Sequence, residues 1–195
     1  MLSTRGEAER LLTEAGTMSP GPWTAHSRVV ARCAERIAAC CEGMDPEKAY
    51  ALGLLHDIGR REGVTAVAHV IDGYRFLMSL GFDENAKVCI THSFAIRNID
   101  TYIGAWDVPD EDRAQIARFI AEWEYDDYDR LIQLCDSLAM ADGIIDLKAR
   151  MDDVEARHGN YPEAKRAAHY RLKAYFDHKA GRDLYGVLRT GEERV

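Results

Sequence analysis

The chain has 195 residues, of which 47% are apolar and 30% are charged, and its formal net charge is −8. This length and composition predict one globular domain, residues 1–195, with a sizeable core. The acidic balance, without any basic cluster, argues against nucleic acid or an anionic membrane as the main partner.

The sequence predicts neither a membrane span nor a secretory signal. No apolar run is long enough to cross a bilayer, and residues 1–16 are polar and contain three glutamates. The cysteines lie in apolar helical stripes and form no C-x-x-C pair; they are Cys33, Cys40, Cys41, Cys89 and Cys135. Reduced core thiols are typical of a cytoplasmic protein, so we expect that location.

The first two predicted helices cover residues 4–15 and about 23–41. In the second, apolar residues recur at steps of three and four, which indicates one buried stripe. His26 precedes members of this stripe by three and four residues and is therefore expected to point inward.

The third predicted helix, residues 46–57, is apolar on most sides and is expected to be the central buried helix. Asp45 caps its start. Its end carries His56 and Asp57, two polar groups that are costly to bury side by side unless they pair or bind a metal. Adjacent helical residues point about 100° apart, so both reach one ion only near a frayed helix end, which Gly59 is expected to supply.

Two further helices each place a histidine beside an apolar face. Thr65 is expected to cap a helix that runs to about residue 80 and carries His69 near its start. A helix capped by Asp83 ends at His92, which shares a face with apolar residues three and four positions earlier. Antiparallel packing of these two helices would bring the two histidine rings together.

The remaining chain is predicted to be helical apart from an irregular stretch at 98–108. One helix starts at Pro109, and another runs from about 126 to 143. The second of these places Asp136 inside an apolar run, with no basic residue within a helical turn to balance its charge.

The C-terminal extension, 144–180, should contain two polar helices, at about 145–158 and 162–177, followed by a tail with little pattern. The three histidines of this region are expected to face solvent: His158, His169 and His178. No segment alternates as a strand does. The sequence therefore predicts an all-α fold, a compact bundle of about seven to nine helices with its core region at about 23–143.

Five helices thus place metal-ligand residue types on, or beside, buried faces. The residues are His26, His56, Asp57, His69, His92 and Asp136. Each inward histidine, taken alone, is usually an ordinary core residue. Imidazole and carboxylate together suit Mn, Fe, Co, Ni or Zn, so the joint pattern points to a transition-metal site.

The order His…His-Asp…Asp on helices resembles the HD-domain superfamily of metal-dependent phosphohydrolases, over about residues 26–136. By that resemblance His26, His56, Asp57 and Asp136 would hold one divalent ion. The additional pair, His69 and His92, is similar to the subset that holds a second ion, with Asp57 bridging the two. One or two transition-metal ions are therefore the expected cofactor.

The resemblance implies hydrolysis of a small phosphorylated substrate by a metal-activated water. Asp57, His69 and His92 are the candidate catalytic residues. Two divalent ions with two carboxylates leave an excess of positive charge that a phosphate dianion would match. Arg60 and Arg97 are near these residues in sequence, which makes them candidates for binding phosphate oxygens.

Several alternatives stay open at this point. The HD-GYP subgroup is not favoured, because Arg60 stands where its lysine would follow His-Asp-Ile-Gly and no Gly-Tyr-Pro follows. Some proteins of this fold hold di-iron with the same ligand types and oxidise substrates with dioxygen. With a single ion, His69 or His92 would instead be a free imidazole that can act as general acid. A non-catalytic helical binding module is the remaining alternative.

Overall fold

The computed structural model describes residues 1–189, and their regular secondary structure is almost entirely helical. The helices of these residues are α1 (Arg5–Met18), α2 (Trp23–Ala38), α3 (Pro46–Leu55), α4 (Ala68–Ser79), α5 (Asp83–Thr91), α6 (Asp110–Glu122), α7 (Asp127–Ser137), α8 (Leu147–His158), α9 (Glu163–Ala180) and α10 (Leu184–Arg189). The all-α prediction is confirmed. The helix at 184–189 lies in the tail where the sequence showed little pattern. The last residues of the predicted domain, 190–195, lie outside the described part.

The other regular elements are short. Two 3₁₀-helices occupy Ile58–Glu62 and Ile99–Thr101. Strands β1 (Ala139–Met140) and β2 (Gly143–Ile144) form one antiparallel hairpin directly after α7. This hairpin ends α7 earlier than predicted, since the sequence placed one continuous helix up to residue 143.

Helix α3 is the centre of the molecule, as its composition predicts. Every residue from Ala49 to Leu55 is buried, and α3 contacts α1, α2, α5 and α7. The crossing with α2 is close: a Cβ on Gly53 would lie 2.9 Å from the Ala31 Cα. Small side chains at such a crossing let two helix backbones approach, so α3 is held firmly at its C-terminal end.

The C-terminal extension packs back onto the same core. Side chains of α8 to α10 pack in one hydrophobic cluster with α2, α3 and α7; they include Leu147, Met151, Phe176, Leu184 and Leu188. The extension is therefore part of the wall around the end of α7, where Asp136 lies. No helix of residues 1–189 is long and apolar enough to cross a membrane.

The start of α4 is capped by a residue that the sequence did not identify. Thr65 was expected to cap this helix, but α4 begins at Ala68 and its N-cap residue forms no side-chain cap bond. Instead, the Asp107 carboxylate accepts hydrogen bonds from the backbone N–H groups of Ala66 (2.6 Å) and Ala68 (2.9 Å). The irregular segment 98–108 thus fixes the helix that carries His69.

We expect Asp107→Ala to lower the free energy of unfolding by about 1 kcal/mol, the usual contribution of a helix cap. Burial alone would raise the pKa of Asp107, but the backbone N–H groups outweigh it and lower that pKa below its ordinary value of 3.8. The stabilisation is therefore present at neutral pH and is lost as the pH falls through the lowered pKa. Urea unfolding at pH 7 and pH 3 measures both effects. Asp107→Asn, which keeps an acceptor, should lose less at pH 7; equal stability of wild type and Asp107→Ala there would contradict the capping role.

Candidate metal centre

At the C-terminal end of α3, the polar atoms of His56 and Asp57 lie close together. The helix ends at Leu55, two residues earlier than predicted, and His56 is its C-cap. Asp57 has φ −105° and ψ 14°, which breaks the α-helical geometry before the 3₁₀-helix begins. This break brings the Asp57 carboxylate to 3.9 Å from His56 Nε2, although the residues are adjacent in sequence.

Gly59 does not end α3, so that prediction is wrong. It lies inside the 3₁₀-helix and is not among the glycines with positive φ. A Cβ at this position would lie 2.0 Å from the His69 carbonyl oxygen and 2.5 Å from the Gly73 nitrogen. Gly59 therefore permits the close approach of two backbones, which places α4 and its His69 against Asp57.

Gly59→Ala is expected to destabilise the protein by about 3 kcal/mol, because the added methyl group meets backbone atoms that cannot move aside as a side chain can. Thermal or urea unfolding measures the loss. Gly6→Ala on α1 is the matched control, since a Cβ there has open space around it and alanine favours a helix. Similar stability of the two variants would show that the packing at Gly59 is not tight.

Backbone carbonyls fix the tautomer of three histidines. The contacts are His56 Nδ1 with Gly53 O at 2.7 Å, His69 Nδ1 with Ala66 O, and His92 Nδ1 with Val88 O at 3.1 Å. A carbonyl oxygen only accepts, so each Nδ1 carries a proton, and in the neutral ring each Nε2 presents a lone pair. Metal-binding histidines are commonly oriented in this way by a bond to their other ring nitrogen.

The Nε2 atoms of these three histidines lie close together, with few hydrogen-bond donors beside them. His69 Nε2 and His92 Nε2 lie 3.4 Å apart, yet neither carries a hydrogen in this tautomer. His56 Nε2 is fully buried and forms no hydrogen bond within the described residues. Among residues 1–189, the hydroxyl of Ser93, 3.0 Å from His92 Nε2, is the one hydrogen-bond donor beside these nitrogens. A cation would satisfy these lone pairs, so the donor set fits a metal.

Asp57 stands between two groups of candidate ligands. Its Oδ1 lies 3.2 Å from His69 Nε2 and 3.6 Å from His92 Nε2. Its Oδ2 is the oxygen that faces His56. Asp57 belongs to two sets of possible ligands, one with His26 and His56 and the other with His69 and His92. Within each set, the ligand atoms all lie within 4.8 Å of one another. A carboxylate that bridges two ions would be placed in this way; the ligand roles themselves stay predictions.

Asp136 and His26 complete the cluster on its open side. Helix α7 places Asp136 Oδ1 2.9 Å from His26 Nε2 of α2 and 3.7 Å from His56 Nε2. The Asp136 side chain is 29% exposed, whereas that of Asp57 is 6% exposed. A ligand would therefore approach from the Asp136 side.

The electrostatics keep the carboxylates ionised. Burial alone would raise the pKa of Asp57, but the neighbouring charge of Arg60 is the largest of the effects that outweigh it and lower that pKa. Burial would likewise raise the pKa of Asp136, but the hydrogen bond with His26 acts against it and helps to lower that pKa. Burial lowers the pKa of His92 to about 3. At neutral pH the cluster therefore offers anionic oxygens and a neutral imidazole, the protonation states that a metal requires.

The structure separates the two arginines proposed for phosphate binding. Arg60 lies in the cluster, where its Nε donates to Asp57 Oδ2 at 2.6 Å. Arg97 does not: its guanidinium donates to the carbonyls of Ile120 and Ala121 at the end of α6. The expectation that Arg97 binds substrate is wrong, because nearness to His92 in sequence does not bring its side chain to the same side.

A cavity of about 650 Å³ opens over the cluster. Its wall includes His26, Asp57, His69, His92 and Asp136. Aromatic and cationic side chains complete the wall, among them Trp23, Tyr102, Arg60, Arg150 and Arg157. Its volume is in the range of small-molecule sites, so a nucleotide-sized ligand fits.

Helices α8 and α9 supply site residues that sequence reasoning missed. His169 was expected to face solvent, but it is 4% exposed, and its Nδ1 lies 3.1 Å from the Ser137 hydroxyl. The expectation was correct for His158 and His178, which are exposed. The inner face of α9 packs against polar groups beside the cluster, so apolar periodicity gave no signal for it.

Among the comparisons with known proteins, one gave a match. A family model described as HD domain matches residues 24–141, more than half of the chain. No curated protein and no solved structure gave a match.

Proposed function

This chain belongs to the HD domain family, and we propose that it is a metal-dependent phosphohydrolase that hydrolyses a small phosphoester. The family is one of metal-dependent phosphohydrolases, which gives the reaction class. The observation that carries the proposal is the set of imidazole lone pairs, fixed by backbone carbonyls, that converge on Asp57 beneath an open cavity.

The proposed ligand sets follow the two groups that share Asp57. His26, His56 and Asp57, joined by Asp136, would hold one ion. Asp57, His69 and His92 would hold the other. The ions would be Mn, Fe, Co, Ni or Zn, which accept nitrogen and carboxylate ligands. Bound there, they would polarise a phosphoryl oxygen and supply an acidified water as the nucleophile.

The other side chains of the cavity would orient the substrate. Arg60 holds the Asp57 carboxylate with its Nε, and its side chain, 30% exposed, lines the cavity. Its Nη1 donates to the Thr65 carbonyl at 3.4 Å, and its remaining N–H groups would bind a phosphoryl oxygen. Burial raises the pKa of Tyr102 to about 12, so its hydroxyl stays protonated at neutral pH and can donate to an anion. Neither residue needs to change its protonation state to do this.

A small anionic substrate is also favoured by the charge of the cavity. The protein has a net charge of −8, yet in this cavity three arginines (Arg60, Arg150, Arg157) balance three aspartates (Asp57, Asp136, Asp153), so one or two bound divalent ions would make the cavity positive. Cations concentrated at a cleft of an acidic protein raise the local concentration of anions. A substrate the size of a nucleotide or sugar phosphate would fill the available volume.

The test is phosphate release from a panel of phosphomonoesters and phosphodiesters by protein loaded in turn with each of the five metals. We expect release from at least one substrate and none by His56→Ala. Dioxygen consumption without phosphate release, together with the colour and EPR signal of mixed-valent di-iron, would contradict the proposal and indicate an oxygenase with the same ligand types.

A further inference from the structure

A second, smaller cavity continues from the main one beside the candidate metal centre. Its volume is about 120 Å³. The two cavities share part of their walls, namely His92, Ser93, Tyr102, Asp136 and Arg150. Most of the remaining wall comes from α8, α9 and the segment between them, beyond the residues 24–141 that the family model covers. A ligand held at the metal centre would therefore have one end at the mouth of this second cavity.

The second cavity contains a cation to which no carboxylate of residues 1–189 is bonded. Lys165 is half-buried, and within the described part of the chain its Nζ donates only to two carbonyls, Ser93 O at 3.4 Å and Thr101 O at 3.3 Å. No carboxylate within residues 1–189 forms an ion pair with it. A buried ammonium group is costly unless it is paired.

Lys173, a second lysine of α9, forms ion pairs and serves as a comparison for Lys165. Lys173 lies 2.8 Å from Asp177 and 2.7 Å from Asp183, and these acids outweigh burial and raise its pKa. For Lys165, burial lowers the pKa to about 8. Lys173 has two carboxylates bonded to it. Lys165 has none within residues 1–189, and it faces a cavity that can hold an anion.

The groups around Lys165 also suit an anion. Arg150 lies where the two cavities meet and shares Asp153, 3.2 Å away, with Arg157. Burial raises the pKa of Tyr161, so its phenol remains a hydrogen-bond donor. The acid of this cavity wall, Asp136, is bonded to His26 and faces the candidate metal centre.

We propose that Lys165 and Arg150 form a second anion-binding subsite beside the metal centre, which selects phosphoesters that carry a further phosphate or carboxylate. This inference rests on the proposed function for the phosphoryl group that is hydrolysed. The subsite would bind the other anionic group of the same substrate and so fix its orientation in the cleft.

Substrate pairs that differ by one anionic group test the selection. Adenosine 3′,5′-bisphosphate against adenosine 5′-monophosphate probes a second phosphate; 3-phosphoglycerate against glycerol 3-phosphate probes a carboxylate. In wild type we expect kcat/KM to favour the more anionic member of at least one pair by about tenfold or more, the contribution of a charge-assisted hydrogen bond. Lys165→Met should remove most of that preference, chiefly through KM, and Lys165→Arg should restore part of it.

Lys148→Met is the matched control, because Lys148 is 71% exposed and lies on the outside of α8. It should retain the wild-type preference. The same preference in wild type and Lys165→Met would overturn the subsite while leaving the phosphohydrolase proposal intact. Absence of hydrolysis of every substrate would overturn the phosphohydrolase proposal instead.

Calorimetric titration of inorganic phosphate into the purified full chain tests the subsite without catalysis. We expect Lys165→Met to bind one phosphate fewer per chain than wild type and Lys148→Met. Melting temperatures should show that Lys165→Met is at least as stable as wild type. The methionine side chain is similar in length to that of lysine and carries no charge. Equal phosphate binding by all three proteins would overturn the proposal.

Discussion

Replacing Asp57 with alanine should remove most of the bound metal and abolish phosphate release. Asp57 is the residue that both candidate ligand sets share, with Oδ1 toward His69 and His92 and Oδ2 toward His56. Its loss would take one ligand from each ion and the partner from Arg60. Elemental analysis of purified protein should show a fall from about two ions per chain to a small fraction of one, as expected when a ligand of each ion is lost.

Asp112→Ala is the matched control for this result. Asp112 is also a buried aspartate bonded to an arginine, Arg75, but it lies on α6 outside the cluster. This variant should keep its metal, even if breaking the pair reduces stability. Full metal content and full stability in Asp57→Ala would show that the Asp57 carboxylate is not a ligand.

His92→Ala should reduce the metal content from about two ions per chain to about one, and should also abolish phosphate release. His92 belongs to only one of the two ligand sets, with His69 and Asp57, so the set that contains His26 and His56 stays intact. The buried position of His92 keeps its pKa low, at about 3, so it is a neutral ligand throughout the physiological range.

A single-ion centre would give a different result for the same variant. The metal content would then stay unchanged, and only the acid limb of the pH–rate profile would move, as for the loss of a general acid. His178→Ala, an exposed histidine on α9, is the control for nonspecific effects of removing an imidazole. It should leave both the metal content and the rate at the wild-type value.

The fold was largely predictable because its helices carry clear apolar stripes. Helix α3 is the best example, since its nearly continuous apolar sequence correctly predicts the buried centre. Helix ends were less predictable, because tertiary contacts decide them. Asp107 caps α4 from about forty residues away, and the hairpin after Ser137 shortens α7. Neither effect leaves a local signal at the helix that it changes.

The candidate ligands were predictable because polar groups on apolar faces stand out against their neighbours. His26, His69 and Asp136 are found at the same cluster for that reason. Lys165 and His169 were not predicted, because their helix is polar and its contacts are set by the packing of α9 against α7. Arg97 was predicted wrongly, since the carbonyls at the end of α6 bind its guanidinium.

The most direct test of a two-metal phosphohydrolase is to follow phosphate release while metal is returned to chelator-treated protein. We expect release from a small phosphoester to rise until about two ions are bound per chain and then to stay constant, because both ligand sets must be filled. A plateau at one ion, or no phosphate release at any metal content, would contradict it.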